Sequence, residues 1–360
     1  MMIKLLVSIV VILMMCNNAN AKKNVKILAT GGTIAGKAQE LIGYASGQLN
    51  IAALIAEIPD IQNHTEISWQ QVANIGSQDM GIEIWKTLYM AIEDAKNDND
   101  VLGIVITHGT DTMIDSAFLF DLLFPSGKPL IFVGAMRNAD ALSPDGPQNL
   151  LDAIQVASSV EAKNRGALIV MNSKIITARS AYKQHTAAVE TFKISNGSYA
   201  GDLHNGKVNF YHDFVRERGN KSIFNFSDID GISQVAMMSV YPGTSKSYYE
   251  NALSSVNKAL VISGVGNGNF PSSITKNIKE TIDSGVIIVR SSKVPEGYVS
   301  RNIEINDDQL GTIASLGLSP LKSRILLGLL LKKNMSNSQV QKIFDCEVPT
   351  ADGSCSTFPN

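Results

Sequence analysis

The chain has 360 residues, of which 44% are hydrophobic and 18% charged, so it is long enough to bury a core and to form two domains. Its formal net charge of -2 argues against a surface that neutralises nucleic-acid phosphates or anionic lipids. We therefore expect a small-molecule partner, with no nucleic acid and, after removal of a signal segment, no membrane.

The N-terminal segment has the pattern of an export signal. Lys4 precedes an apolar run over 5–15, and Ala19-Asn20-Ala21 is a small-x-small cleavage site. The run is too short to span a membrane comfortably. We predict a signal peptide over 1–21 and a periplasmic or secreted mature protein. Cys16 leaves lipidation as an alternative, although the bulky Met15 before it disfavours such processing.

Two cysteines remain after cleavage, Cys346 and Cys355, both in the C-terminal tail. In an oxidising compartment two nearby cysteines in a loop rich in Pro, Gly and Ser can form a disulfide. Two free thiols on a loose end are the alternative. Neither arrangement predicts catalytic chemistry.

Short apolar runs rich in Val and Ile alternate with helical patterns along the chain. One such pattern places Trp85, Leu88, Tyr89 and Ile92 on one helical face. Continuous apolar strands between amphipathic helices predict an α/β protein with mainly parallel sheets covered by helices. The predicted strands lie at 25–30, 101–107, 129–134, 166–171, 259–264 and 286–289.

The alternation breaks at 214–234, where charged, polar and Gly residues predict a linker. The strand-helix pattern restarts at 235. We therefore predict a larger N-terminal domain over 22–213 and a smaller C-terminal domain over 235–360 that includes the extended tail.

Three glycine-rich turns follow predicted strands: "TGGT" at 30–33, "HGTDT" at 108–112 and "GVGNGN" at 264–269. Ligands of open parallel sheets bind where the carboxyl ends of the strands meet. Gly31, Gly36 and Lys37 have the spacing of a phosphate loop, but Ala38 stands where magnesium binding needs Ser or Thr. A nucleotide site is therefore disfavoured.

Gly31 and Gly32 permit a sharp turn that directs the Thr33 hydroxyl into the crevice as a nucleophile. Tyr44 follows on a loop whose glycines would let it close as a lid. The alternative is an ordinary turn in which Thr33 caps a helix.

Thr110 and Asp111 add a hydroxyl and a carboxylate at a second turn, and part of their role is expected to be capping of the helix that follows at 113–124. His108 is interpreted as a structural hydrogen-bonding residue. The sequence lacks the Gly-x-Ser-x-Gly, His-Glu-x-x-His and Cys-x-x-Cys motifs, so we predict no metal and no cofactor.

Taken together, these residues resemble the exported, type II branch of the bacterial L-asparaginases, within the asparaginase/glutaminase family. The likeness covers nearly all of the mature chain. It implies two α/β domains, the smaller one flavodoxin-like. The ordered motifs that carry it are "ILATGGTIAG" (27–36), "NIGSQDM" (74–80), "GIVITHGTDTM" (103–113), "VGAMR" (133–137), "SPDGPQNL" (143–150), "SGVGNGN" (263–269) and "VRSSKVP" (289–295).

The resemblance implies hydrolysis of a side-chain amide through a covalent acyl-enzyme, in a homotetramer of two intimate dimers whose sites lie at subunit interfaces. A lysine can act there as a base only if its surroundings lower its pKa from about 10.4. Asp111 opposes this, so we expect it mainly to hold the substrate α-amino group. The implied catalytic residues are Thr33, Tyr44, Thr110, Asp111 and Lys183, and the implied substrate-binding residues are Ser77, Gln78, Asp111, Asn269 and Glu304.

Two other hypotheses stay open at this point. A non-catalytic exported amino-acid-binding protein would also pair two α/β domains, but it needs no activated hydroxyl. The cytoplasmic branch of the same family is the other hypothesis, and the export signal argues against it. The sequence does not decide between L-asparagine and L-glutamine, because one methylene changes binding by only a few kcal/mol at most.

Overall fold

The structure is a computed structural model that describes residues 23–32, 34, 37–38, 44–45, 51–56, 58, 65–211, 222–254, 258–346, 348–349 and 355–356. At 37–38, 44–45, 53, 348–349 and 355–356 it describes the backbone alone. The predicted signal peptide at 1–21 and Thr33 lie outside the described residues, as does the side chain of Tyr44.

The N-terminal part is built on one mixed sheet. Its strands and two short neighbouring hairpins are β1 (Asn24–Gly31), β2 (Lys37–Ala38), β3 (Tyr44–Ala45), β4 (Glu66–Ile75), β5 (Val101–Thr107), β6 (Leu130–Val133), β7 (Ala167–Met171), β8 (Lys174–Thr177), β9 (Ala181–Lys183), β10 (Phe192–Ile194), β11 (Gly201–His204) and β12 (Lys207–Phe210). The eight-stranded sheet has the order β12-β11-β8-β7-β6-β5-β1-β4, and β4, β1, β5, β6 and β7 run parallel. The remaining three strands are antiparallel.

Helices cover this sheet on both faces. They are α1 (Ile51–Ala56), α2 (Ile82–Asn97), α3 (Met113–Leu123) and α4 (Gly146–Ser158). The predicted apolar stripe of α2 buries Trp85, Leu88 and Ile92, while Tyr89 is half-buried. Helix α3 is instead buried almost all round, because β7 and a helix of the C-terminal part both pack against it.

The C-terminal part is a four-stranded parallel sheet in the order β13-β14-β15-β16. Its strands and the tail hairpin are β13 (Val235–Ser239), β14 (Ala259–Gly264), β15 (Ile287–Ser292), β16 (Ile313–Ala314), β17 (Val348–Pro349) and β18 (Cys355–Ser356). Its helices are α5 (Lys246–Ser254), α6 (Thr275–Asp283), α7 (Asp307–Leu310), α8 (Pro320–Leu330) and α9 (Asn337–Phe344). No helix in the described ranges is long and apolar enough to cross a membrane.

The predicted α/β architecture is confirmed, with a large N-terminal sheet and a smaller parallel C-terminal one. The six predicted strands correspond to β1, β5, β6, β7, β14 and β15. The antiparallel edge was missed. Tight turns with positive φ join its strands, at Asn172-Ser173 between β7 and β8 and at Asn205-Gly206 between β11 and β12. Asn-Gly between two short strands is a hairpin signal that the sequence did carry.

The expected linker ends in an ordered element. Phe226–Gln234 forms a 3₁₀ helix with a capping box made by Asn225 and Asp228. Lys333 Nζ lies 2.6 Å from Asp228 Oδ2, and α8 packs on the same helix. The exact domain bounds stay a prediction.

Cys346 at the end of the C-terminal part is disulfide-bonded, so it is not a free thiol. In the tail beyond it, β17 and β18 pair antiparallel and place Pro349 opposite Cys355. The other cysteines of the sequence are Cys16 and Cys355. That Cys355 is the partner stays a prediction.

His108 lies at the centre of a buried hydrogen-bond chain behind the strand ends. Its Nδ1 is 2.7 Å from Gly109 O, and its Nε2 is 2.8 Å from Ser116 Oγ. A carbonyl only accepts, so Nδ1 carries the proton and Nε2 accepts from Ser116, whose oxygen accepts from Trp85 Nε1 at 2.8 Å. This arrangement supports the interpretation of His108 as a structural residue.

This buried environment makes acid stability depend on His108. Burial lowers the pKa of His108 to about 4, although its bond to Gly109 opposes the shift. The unfolded chain binds this proton near pH 6.5, so the stabilisation is complete above that pH and declines toward pH 4. We expect the free energy of unfolding to fall by about 3 kcal/mol over this range through His108.

Urea titrations at pH 7 and near pH 4.5 check this prediction. His108→Gln is expected to be less stable at pH 7 but to lose less stability on acidification than the wild type. His204→Gln, which changes an exposed histidine, is the matched control and is expected to follow the wild type. Equal acid losses in the wild type and His108→Gln would contradict the prediction.

Candidate active site

Three loops meet backbone to backbone at the carboxyl ends of β1, β4 and β5. Gly31 and Gly32 have φ angles of 104° and 89°, which favour glycine. A Cβ atom on Gly31 would lie 2.5 Å from Ile75 O, and one on Gly32 would lie 2.5 Å from Gly109 N. The sharp turn and close backbone approach that the sequence predicted are therefore present.

Thr33 follows directly on this contact. Gly32, its neighbour in the chain, lies against Gly109, and Gly109 precedes Thr110 in the second loop. Thr33 itself lies outside the described residues. Tyr44 is placed by its backbone alone, in β3, where it pairs with Ala38 of β2.

Lys183 brings the second loop and strand β9 together. Its Nζ donates to Thr110 Oγ1 at 2.9 Å and to Asp111 Oδ1 at 2.6 Å. The lysine side chain is 17% exposed and the Asp111 side chain 66%, while Thr110 is buried. Thr110, Asp111 and Lys183, three of the residues that the family resemblance implies as catalytic, are thus in direct contact, with the Asp111 carboxylate partly open to solvent.

Ser77 joins the loop after β4 to the loop that carries Thr110 and Asp111. It is buried at the start of a 3₁₀ helix, Ser77–Asp79, and its Oγ accepts from Asp111 N at 3.2 Å. Gln78, the next residue, is exposed. Ser77 and Asp111 therefore lie together, as recognition of an amino acid by its carboxylate and its amine would require.

The expectation that the Thr-Asp-Thr run caps α3 is wrong. Thr112 is the N-cap residue, but no side chain caps the helix there. Thr112 Oγ1 donates to Ser77 O at 2.7 Å instead, and Thr110 Oγ1 accepts from Lys183. Both hydroxyls thus bond to residues outside α3.

Hydrogen bonds between two further motifs hold the loop after β6 in place. The Asp145 carboxylate accepts from Met136 N at 3.0 Å and from Arg137 N at 2.9 Å. Asn149 Nδ2 donates to Gly134 O at 3.1 Å, and a Cβ on Gly134 would lie 2.6 Å from His108 O. The motifs at 133–137 and 143–150 thus fix the backbone behind the site.

Asn269 and Glu304 form a second polar cluster in the C-terminal part. Asn269 Nδ2 donates to Glu304 Oε2, while Asn269 Oδ1 is buried without a hydrogen-bond partner. Within the described ranges, no hydrogen bond or ion pair joins these two residues to Ser77, Thr110, Asp111 or Lys183. The chain therefore presents two separate groups of predicted site residues.

Arg290 fixes the loops that carry Asn269 and Glu304. It is fully buried on β15, where it donates two bonds of 2.6 Å to Asp307, which is also fully buried. It also donates to Asn267 O at 2.7 Å and to Ser300 O at 2.6 Å. Burial opposes ionisation of Asp307, but bonds from Arg290, Thr312 and Asn302 outweigh it and hold its pKa below its usual value.

Sequence reasoning did not single out Arg290 as a residue that organises the site. The charged residue inside the strand "IIVRSS" was the available signal, because a buried charge needs a partner.

No group of His, Cys, Asp and Glu side chains among the described residues could hold a metal ion. The site can hold an amine on Asp111, accept hydrogen bonds through its threonines and transfer a proton through Lys183.

Comparison with known proteins covers both parts of the chain. The family model "Asparaginase, N-terminal" matches residues 24–216, and "Glutaminase/Asparaginase C-terminal domain" matches 234–344. A probable periplasmic L-asparaginase of Haemophilus influenzae is 38% identical over 330 residues, 91% of this chain and 94% of its own length. A glutaminase-asparaginase of Acinetobacter glutaminasificans is 36% identical over 330 residues, 90% of this chain and 99% of its own.

The fold has a counterpart among solved structures. The crystal structure of a probable cytoplasmic L-asparaginase from Campylobacter jejuni superposes with a TM-score of 0.83 at 36% identity, over 90% of this chain and 99% of that one. Together with the two family models, relatives of nearly equal length show that the chain belongs to the asparaginase/glutaminase family.

Proposed function

We propose that this protein is an L-asparaginase, which hydrolyses L-asparagine to L-aspartate and ammonia and accepts L-glutamine as a second substrate. The observation that carries the proposal is the contact of Lys183 with Thr110 and Asp111 beside Ser77. Relatives named L-asparaginase and glutaminase-asparaginase support the same reaction.

Asp111 and Ser77 account for recognition of an α-amino acid. The exposed edge of the Asp111 carboxylate can accept hydrogen bonds from the substrate ammonium group. The Ser77 hydroxyl is positioned to donate to the substrate α-carboxylate, because its oxygen already accepts from Asp111 N. Recognition of both charged groups directs the side-chain amide toward the loop that carries Thr33.

Thr33 acts in this proposal as the nucleophile. Its Oγ adds to the amide carbon and gives up its proton, the C–N bond breaks, and the nitrogen leaves as ammonia after protonation. Water then adds to the acyl ester, releases L-aspartate and restores the Thr33 hydroxyl. Tyr44 completes the site from the same loop, and the chemistry needs no metal or cofactor.

Lys183 and Thr110 accept the proton that the nucleophile gives up in this scheme. An ammonium group only donates, so Lys183 must lose a proton before it can accept one through Thr110. A substrate ammonium bound to Asp111 competes with Lys183 for the same carboxylate. Substrate binding thereby weakens the ion pair that keeps Lys183 a donor, which couples proton transfer to occupancy of the site.

Asn269 and Glu304 complete the site of a neighbouring subunit, in a homotetramer of two intimate dimers. Within the described residues no hydrogen bond or ion pair joins them to the Lys183 cluster of their own chain, which supports this arrangement. Arg290 and Asp307 hold their loops in a fixed shape before assembly, so a neighbour meets a rigid surface.

The mature protein is exported to the periplasm or secreted. The pattern of residues 1–21 supports export, as does the name of the Haemophilus relative, whereas the Campylobacter structure is named cytoplasmic. N-terminal sequencing of protein recovered from the periplasm or the medium is expected to read Lys22 first. Protein that stays in the cytosol with residues 1–21 attached would instead support the cytoplasmic branch.

Ammonia release from L-asparagine and L-glutamine tests the activity. Thr33→Ala and Lys183→Met are expected to fold and assemble but to lose turnover at least about a thousandfold, because each removes a reacting group. Thr87→Ala, which changes an exposed threonine on α2, is the matched control and is expected to keep wild-type turnover.

Two outcomes would contradict this assignment. Full activity in Thr33→Ala would exclude Thr33 as the nucleophile. A folded wild-type protein that is stabilised by L-asparagine but releases no ammonia would support an amino-acid-binding protein instead.

Mixed oligomers test the shared site. Thr33→Ala and Glu304→Ala are each expected to be nearly inactive alone. If Glu304 serves a neighbouring subunit, a mixed dimer keeps one site with both residues intact, so random reassembly would restore about a quarter of wild-type activity. Size-exclusion chromatography measures assembly in the same samples. Mixed dimers without recovered activity would show that Glu304 does not act across the interface.

A further inference from the structure

A lysine from the C-terminal part reaches the backbone that leads to Lys183. Lys322 lies in the first turn of α8 and is 3% exposed. Its Nζ donates to Arg179 O at 2.6 Å and to Ala181 O at 2.7 Å. Ala181 begins β9, the three-residue strand that ends at Lys183. Lys322, a residue of the C-terminal part, therefore holds a backbone segment of the N-terminal part.

The same side chain also contacts the helix that follows Thr110 and Asp111. Lys322 Nζ lies 5.8 Å from the centre of the Phe118 ring on α3. Asp115, one turn earlier on α3, is 9% exposed, and its Oδ1 has no hydrogen-bond partner. Lys322 thus contacts both the strand that carries Lys183 and the helix that follows the loop of Thr110 and Asp111.

A charge at this position is costly. Burial lowers the pKa of Lys322 to about 7, against the raising effect of Asp115. Burial likewise raises the pKa of Asp115 to about 6, against the charges of Lys322 and Arg324. A methionine would fill similar space without this desolvation cost. It could not donate hydrogen bonds to two carbonyl groups, which is what the amine does here.

We propose that Lys322 is a positioning residue for the amidase reaction: by holding Arg179 O and Ala181 O it fixes β9, and it thereby directs the Lys183 amine onto Thr110 and Asp111. The inference rests on the proposed function of Lys183. It makes proton transfer in the N-terminal part depend on a side chain of the C-terminal part of the same chain.

Steady-state kinetics of Lys322→Met test the proposal. We expect kcat for L-asparagine to fall about 10- to 100-fold, because a displacement near 1 Å of a reacting group costs about that much. KM is not expected to rise, since Ser77 still holds Asp111 and a displaced Lys183 competes less with the substrate ammonium for its carboxylate. Lys322→Gln keeps an amide that can donate to a carbonyl, so it is expected to recover part of the lost kcat.

Lys333→Met is the matched control. It removes another lysine of the C-terminal part, one that pairs with buried Asp228 rather than with the approach to β9. Its kcat, measured well below the melting temperature of each variant, is expected to stay near the wild-type value. If Lys322→Met does not fold, Lys322→Gln is compared with Lys333→Gln, and a lower kcat in the former supports the proposal.

Several results would overturn it. They are equal kcat in the Lys322 and Lys333 variants, a loss confined to KM, or no recovery in Lys322→Gln. Lys183→Met in the same assay separates this failure from failure of the proposed function. An active Lys183→Met removes the proposed role of Lys183 itself, whereas an inactive Lys183→Met beside an unimpaired Lys322→Met rejects only the positioning by Lys322.

Discussion

Backbone atoms of three loops come into direct contact at the carboxyl ends of β1, β4 and β5, and residues without a Cβ atom make this contact sterically feasible. Gly32 packs on Gly109, and Gly31 packs on Ile75. This packing places Ser77 within a hydrogen bond of the loop that holds Thr110 and Asp111. The bonds that Ser77 makes with Asp111 and Thr112 depend on it, because side chains as short as Ser and Thr cannot reach across a wider gap.

Buried basic side chains then hold backbone segments that the glycine contacts between the loops do not reach. Arg290 ties the loops of Asn269 and Glu304 together through Asp307 and two backbone carbonyls. Lys322 holds the approach to β9 in the same way, with carbonyl groups as its acceptors. Burial of each group costs desolvation energy, but each group forms directional hydrogen bonds that apolar side chains cannot form. Precision at the site is therefore obtained partly at the expense of stability.

The sequence predicted the buried central parallel strands well, because strands buried on both faces are continuous apolar runs. It missed the parallel edge strand β4, which mixes polar with apolar residues and is partly exposed. It missed the antiparallel edge around β11 and β12, whose residues are more polar and whose Asn-Gly turn was overlooked. It misjudged the capping role of the turn at 110–112, because a capping pattern in the sequence does not reveal a competing partner such as Ser77 O for the Thr112 hydroxyl. It did not single out Lys322, since its partners are backbone carbonyls, which no residue pattern identifies.

By itself the sequence determined the α/β class, the strand ends at which a site would form and the residues that match the asparaginase/glutaminase family. These follow from local patterns: apolar periodicity, glycine at positions that need positive φ, and motifs of adjacent residues. Only the tertiary structure decided that Lys183 contacts Thr110 and Asp111, that Asn269 and Glu304 form no hydrogen bond or ion pair with them in the described part of the chain, and that Lys322 donates to the backbone leading to Lys183. Such contacts join residues distant in the chain, and their geometry depends on packing that no local pattern contains.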